Sequence, residues 1–252
     1  MKKLIDRIIE HRLPVYFISP HLDDAVFSAG GLISRLSRKT QVKIINVFTR
    51  ADNLRPTLSA AVYLRQCGSP DARRLFIIRK REDAGILKTL GIKPIDLDYT
   101  DALWRRKKRF PGSFIPELGA VYPTYRWHVV TGKSSPADSG LIDKLSHRLS
   151  RAVPSEAVVF APLSIGRHVD HVIIRNICSQ LPNRVIYWCD FPYNQKFRPD
   201  MKFIGQHHLH KSVLPVSPTV RHRLISGYRS QTPAVFPAGI PPLSREIYYY
   251  AV

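Results

Sequence analysis

The sequence predicts an α/β fold: a Rossmann-like open, mainly parallel sheet with helices on both faces, in a single domain. Three observations carry that expectation. Strand-length segments at 15–18, 42–49, 94–98, 157–162 and 184–190 alternate with stretches of helical periodicity. The run Val42-Lys43-Ile44-Ile45-Asn46-Val47-Phe48-Thr49 is too apolar for a surface edge and suits a sheet covered on both faces. Polar turns follow two of the strand-length runs, at the end where open parallel sheets bind ligands. The 252 residues and a hydrophobic content of 44% suit one domain with a real core.

Taken in order, Ile5, Ile8 and Ile9 form one face of a short helix, and Asp6, Arg7, Glu10 and Arg12 interrupt any signal-peptide core. Val15–Ile18 is the first strand. The helix after it places Ala25, Ala29, Leu32, Ile33 and Leu36 on one face, and the small residues Ala29, Gly30 and Gly31 are expected to let it lie close to the sheet. The second strand, 42–49, completes a right-handed crossover unit. Arg50-Ala51-Asp52-Asn53 continues from it along the ligand-binding edge. Leu58 to Leu64 reads as a short helix and Gly68-Ser69-Pro70-Asp71 as a turn. From Phe76 the spacing of Ile78, Glu82, Ile86 and Leu90 is helical, with Gly91 as its stop, and Pro94–Asp98 fits a third strand.

Residues at about 103–139 break the alternation and read as a basic, aromatic-rich loop insertion. The run Arg105-Arg106-Lys107-Lys108-Arg109 is either a solvated face or a cluster that steers an anionic substrate, with Tyr122, Tyr125 and Trp127 as material for a lid. Leu141 to Leu149 is a helix, Ala157–Pro162 the fourth strand, and a further helix runs to Cys178. Arg184–Asp190 is the fifth strand, and Phe191-Pro192-Tyr193-Asn194 leaves it at the ligand-binding end. Prolines concentrate in the second half, which is therefore expected to be loop-rich. His207-His208-Leu209-His210 has a His-x-x-His spacing but no buried strand before it and no acid beside it. It reads as a polar strand or loop.

The chemistry sits in two turns. Pro20-His21-Leu22-Asp23-Asp24 follows the first strand, and Gly166-Arg167-His168-Val169-Asp170-His171 follows the fourth. Carboxylates after a strand also cap helices, so the first turn alone leaves two readings open. In a parallel sheet the two turns lie side by side. They then offer His21, Asp24 and His171 as a three-ligand set with Asp23 and His168 beside it. Two imidazoles and one carboxylate suit zinc, and three protein ligands leave a position open for catalysis.

Lys and Arg number 39 against 19 Asp and Glu, a net charge of +20. That balance favours an anionic substrate, an anionic membrane surface or nucleic acid as partner. Cys67, Cys178 and Cys189 show no C-x-x-C spacing and read as free thiols of a reducing, cytoplasmic compartment.

The pairing of Pro-His-x-Asp-Asp with a later His-x-x-His resembles the PIG-L/LmbE family of zinc-dependent de-N-acetylases. Arg79-Lys80-Arg81-Glu82, Tyr99-Thr100-Asp101-Ala102 and Tyr228-Arg229-Ser230-Gln231 are similar to further segments of that family, the last to a C-terminal helix segment. The resemblance implies an enzyme that hydrolyses the acetamide of an N-acetylated amino sugar conjugate, with one Zn²⁺ per chain. It implies His21, Asp24 and His171 as metal ligands, Asp23 as general base and His168, as an imidazolium, stabilising the oxyanion. Asp170 either orients His168 or caps the helix. Arg79 and Asp101 carry over as substrate contacts. Some members have a Tyr where this chain has Gly166, so that group must be absent or supplied elsewhere. Other amide hydrolysis on the same fold is the nearest alternative, and a basic nucleic-acid or membrane-surface binding protein the more distant one. The enzymatic reading needs no nucleic acid and is compatible with peripheral contact with an anionic membrane.

Overall fold

Side chains that alternate along the central strands feed two apolar cores, one on each face of a single sheet. In the computed structural model, which describes residues 1–52, 54–107 and 114–251, Tyr16, Ile18, Ile45, Val159, Ala161 and Tyr187 enter one core. Val15, Phe17, Ile44, Val158, Phe160, Ile186 and Trp188 enter the other. Both faces are thus covered, which explains why these strands read as continuous apolar runs and not as alternating ones.

The elements are α1 (Lys2–Glu10), β1 (Val15–Ser19), α2 (Asp24–Leu36), β2 (Val42–Asn46), α3 (Leu58–Gln66), α4 (Ala72–Lys88), β3 (Ile95–Asp96), α5 (Pro116–Gly119), α6 (Ser139–Ala152), β4 (Val158–Pro162), α7 (Val169–Cys178), β5 (Arg184–Trp188), α8 (Met201–Gln206), β6 (Leu209–Pro215), α9 (Pro218–Ser226), α10 (Thr232–Val235) and β7 (Arg245–Ala251). The seven strands lie in the order β3-β2-β1-β4-β5-β7-β6. β3, β2, β1, β4 and β5 are parallel; β7 runs antiparallel to β5, and β6 to β7. The predicted α/β class and mainly parallel sheet are therefore present. Among the described residues, no helix is long and apolar enough to cross a membrane.

Several elements differ from the sequence reading. β2 and β3 are shorter than predicted, and α4 starts at Ala72, where the Asp71 side chain accepts the Arg74 N–H and caps it. The loop-rich second half contains β6 and β7, so His210 lies on an edge strand with its side chain exposed. Tyr228–Gln231 is no helix but the turn between α9 and α10. There the Tyr228 hydroxyl donates to Asp83, Ser230 to Glu82, and Gln231 accepts from Tyr63, tying this turn to α3 and α4.

The described residues of the 103–139 segment pack against the body of the fold. Trp104 and Tyr122 are buried in the core, and Arg106 pairs with Ala120 across a bridge. Arg105, predicted as part of a surface cluster, is buried: its guanidinium donates to Asp138 and Asp170 and lies over the Tyr122 and Phe48 rings. Arg106 is spent on the backbone carbonyls of Pro116 and Arg55. Lys107 is exposed, whereas Lys108 and Arg109, with Phe110, Pro111 and Gly112, lie outside the described residues. The cations that are described do not form one exposed patch.

Helix α2 carries a kink at Ala29 (φ −134°, ψ 16°). The Glu246 carboxylate from β7 accepts the N–H groups of Gly31 at 2.7 Å and Leu32 at 3.1 Å. Arg221 of α9 lies 3.3 Å from the same carboxylate and donates to the Phe27 carbonyl at 2.6 Å. A side chain at position 31 would stand 2.7 Å from the Val216 Cβ. Smallness at 30–31 therefore admits α9 and the β6–α9 connection as well as the Glu246 side chain of the sheet strand β7. Glu246→Ala leaves Arg221 buried without a counter-charge, so we expect a loss of roughly 3–5 kcal/mol. Denaturant unfolding checks this, and Glu246→Gln should lose less because it keeps an acceptor for the freed N–H groups.

Candidate active site

β1 lies between β2 and β4, so the chain leaves the two motif-bearing strands at the point where the sheet order reverses. Loops after β1 and β4 flank a crevice at such a switch point. The first loop is folded by Ser19, whose hydroxyl donates to the His21 carbonyl at 2.6 Å and accepts the Ala25 N–H at 3.0 Å. Ser19 thus serves the helix start, and Asp23, at the N-cap position, makes no side-chain capping bond. Asp24 accepts the His21 N–H at 2.9 Å, which turns its other contacts inward.

Asp24 Oδ2 lies 3.0 Å from His21 Nδ1 and 3.2 Å from His171 Nε2. Donor atoms bound tetrahedrally to zinc at about 2.0–2.1 Å are about 3.3 Å apart. One carboxylate oxygen and two imidazole nitrogens at this spacing fit a divalent cation. His21, His168 and Asp170 make a second cluster of metal-capable groups. In that cluster Asp170 is already neutralised by Arg105, whereas Asp24 has only the two histidines opposite its charge. The first set is the better cation site.

Each imidazole ring beside Asp24 is held from behind. His171 Nδ1 is 2.6 Å from Asp190 Oδ1 at the end of β5, and Asp190 also accepts the Ile165 N–H at 2.8 Å. His21 Nε2 lies 3.3 Å from Asp170 and 3.4 Å from Asp101. Asp170 also accepts the Ala102 N–H at 2.9 Å. Its side chain therefore orients His21, while its backbone N–H donates to His168 Nδ1 at 3.2 Å. Such outer contacts set the ring tautomer and the basicity of a ligand. Against the cost of burial, Asp24 and then Asp190 push His171 up to about 10, and Asp24 and Asp170 raise His21 well above its ordinary value. Burial also opposes ionisation of Asp24, yet His171 and His21 hold it well below the usual carboxylate range.

Asp23 and Arg79 meet in the same pocket. Arg79 is buried on α4, stacks over Phe76, and lies 3.3 Å from Asp23 Oδ1. Glu82, one turn on, pairs with Ser230 and not with Arg79. Burial raises the Asp23 pKa, and Arg79 offsets part of that rise. Asp101 caps the turn after β3 through the Leu103 N–H at 2.9 Å and also lines the pocket. Burial, followed by charge on His21, pushes His168 well below its ordinary value. That shift favours a neutral ring over the imidazolium that the resemblance implies. Because Nδ1 accepts the Asp170 N–H, the proton of that ring sits on Nε2.

These groups line a small pocket of about 80 Å³ shared by His21, Asp23, Asp24, Arg79, Asp101, His168 and His171. Three contributors were not singled out as site residues from sequence. Asp190 closes the predicted fifth strand, and no spacing links it to His171. Arg105 was hidden inside a cation run. Tyr193 was noted only as the start of a loop; its ring packs against Gly166, where an added Cβ would stand 3.0–3.1 Å from the ring and its Cβ. Gly166 has φ +90°. Both that left-handed backbone and the neighbouring Tyr193 ring favour glycine at 166.

An open α/β sheet with a His/Asp/His cluster at its switch point defines a Rossmann-like chain with a candidate metal centre. The family described as PIG-L, GlcNAc-PI de-N-acetylase, matches residues 16–181, and the chain belongs to it. A 2'-N-acetylparomamine deacetylase of Streptomyces fradiae is 26% identical over 199 residues, covering 75% of this chain and 61% of that protein. The chain therefore spans about three fifths of that relative's length. A deacetylase of teicoplanin biosynthesis, solved in complex with teicoplanin, matches at TM-score 0.72 and 20% identity over 94% of this chain and 97% of that one. The zinc-inhibited form of the teicoplanin deacetylase Orf2 matches at TM-score 0.71 and 19% identity, with the same coverage. At these identities the structural likeness is a likeness of fold.

The cluster predicts how cation affinity depends on pH. Without an ion, His171 keeps its proton up to about pH 10, so a cation must displace it. Affinity should rise about tenfold per pH unit between pH 6 and 9 for each proton released. Calorimetry in buffers of different ionisation enthalpy counts those protons. Loss of binding is expected in His21→Ala, Asp24→Ala and His171→Ala, a fall of about 10- to 100-fold in Asp190→Asn, and none in His210→Ala. Full binding in His171→Ala would remove it from the ligand set.

Proposed function

We propose that the chain is a zinc-dependent hydrolase that removes the N-acetyl group from an N-acetylated amino sugar, with His21, Asp24 and His171 holding one ion. The observation that carries this reading is the convergence of those three donors with Asp23 and neutral His168 in one small pocket. Family membership and relatives named as deacetylases support it. When bound, such a cation supplies a water nucleophile at neutral pH and Lewis-acid polarisation of the acyl carbonyl.

The protein's own groups divide the remaining work. Asp23 Oδ1 is engaged by Arg79, so Oδ2 accepts the proton of the attacking water. Its burial-raised pKa lets it carry that proton and deliver it to the departing nitrogen. The C–N bond then breaks, leaving acetate and a free amine. His168 Nε2–H donates to the oxygen on which negative charge develops, without needing an imidazolium. Tyr193 keeps its phenolic proton, because Tyr125 and then burial raise its pKa well above the ordinary value. Its ring lines the same pocket as His168. Asp101 and Arg79, which both line the pocket, are the substrate contacts, and Arg79 also holds Asp23.

The test is acetate release from a panel of N-acetylated amino sugars and from N-acetylated peptides by cation-loaded protein. Turnover of peptides alone would move the reading to other amide hydrolysis. Asp23→Asn should keep the ion and lose about 100- to 10,000-fold in kcat. His168→Ala should lose about 100- to 1,000-fold, mostly in kcat and little in KM. Near-normal turnover in Asp23→Asn would place the base elsewhere.

A further inference from the structure

We infer that the second cavity beside the catalytic pocket is an aglycone subsite, and that the amino sugar taken by this protein carries an apolar, non-cationic aglycone. The inference rests on the deacetylase reading above.

The catalytic pocket, at about 80 Å³, is far below the roughly 300–1,000 Å³ typical of ligand sites. It has room for the reacting acetamide end of a conjugate and little beyond it. A cavity of about 590 Å³ adjoins it. The two share Tyr63, Tyr125, Pro192, Tyr193 and Val235 as a common wall, so a molecule reacting in the first extends into the second.

The far wall of the larger cavity is built from Leu58 and Val62 on α3 and Phe197 beyond β5. These side chains are 79%, 42% and 55% exposed. A cluster of exposed large apolar side chains opening from a reaction pocket marks a binding surface for apolar matter. Charge sharpens the choice. Among the described residues, Lys196 is the one charged residue lining this cavity, and no carboxylate lines it. A polycationic aminoglycoside aglycone would meet a lysine and apolar walls. An alkyl or other apolar aglycone meets surface that gains by being covered.

The experiment compares kcat/KM for the methyl and n-octyl β-glycosides of N-acetylglucosamine, below the micellar concentration, in cation-loaded full-length protein. The octyl/methyl ratio should be at least about tenfold in the wild type, because even one methylene in an apolar pocket is worth about that much. Val62→Gln combined with Phe197→Gln should pull the ratio toward one. Ile77→Gln, at an exposed position on α4, should leave it at the wild-type value. A wild-type ratio near one, or a ratio unmoved by the double substitution, overturns the proposal. A parallel binding titration with n-octyl β-glucosaminide, which has no acetyl group to lose, tests the subsite apart from the chemistry. If that probe binds and the double variant loses it at least tenfold, the subsite stands even when no acetate is released, and only the deacetylase reading fails. If the probe does not bind while acetate is released, the subsite fails alone.

Discussion

One carboxylate oxygen, Asp24 Oδ2, sits between two imidazole rings that are 150 residues apart in the chain, as the numbers 21 and 171 show. Nearly everything around it serves to keep that arrangement. Ser19 folds the first turn so that Asp24 faces inward, and β4 sets the second turn beside it. Asp190 and Asp170 stand behind the two rings. Burying this many carboxylates is costly unless each finds a proton, a cation or a donor. Arg105 neutralises Asp170, and Arg79 partly neutralises Asp23, which leaves Asp24 and the ligand rings to share a positive charge that a proton or a metal ion can supply. The cation site and the local stability of the sheet edge are therefore one problem.

The same accounting changes the meaning of the high net charge. The pocket lining carries Asp23, Asp24 and Asp101 against Arg79, so the reacting end of the crevice is not a cationic trap. Two arginines that count toward +20, Arg79 and Arg105, are buried and spent on internal carboxylates. Arg221 is a third, paired with Glu246 under the kink of α2. Net charge describes the molecule at long range and says little about the groups that meet a substrate.

The two motif turns and the α/β class were legible because their signals are local: an apolar run, a polar turn and a helical period, read within about 20 residues. The His21, Asp24 and His171 cluster could be anticipated for the same reason, since parallel strands bring their C-terminal ends to one edge. Short β3, the kink at Ala29 and the strands β6 and β7 were not legible. Strand length depends on which neighbour is available to pair, and the kink depends on Glu246, more than 200 positions away. Tyr228–Gln231 failed as a helix because its polar groups are claimed by α3 and α4.

The amino-acid sequence by itself determined the sheet, its parallel core and the residue types that gather at its switch point, because burial and periodicity act between near neighbours. Tertiary structure alone decided the roles. Asp170 was read as a partner of His168 or a cap, and folding put its carboxylate against His21 and its N–H against His168. Arg105 was read as part of an exposed cation run, solvated or substrate-steering, and folding buried it between two carboxylates. Tyr193 was read only as part of a loop leaving the fifth strand, and folding set its ring against Gly166. In each case the deciding contact joins groups far apart in the chain, and electrostatic and steric terms at a few ångströms have no signature in residue order.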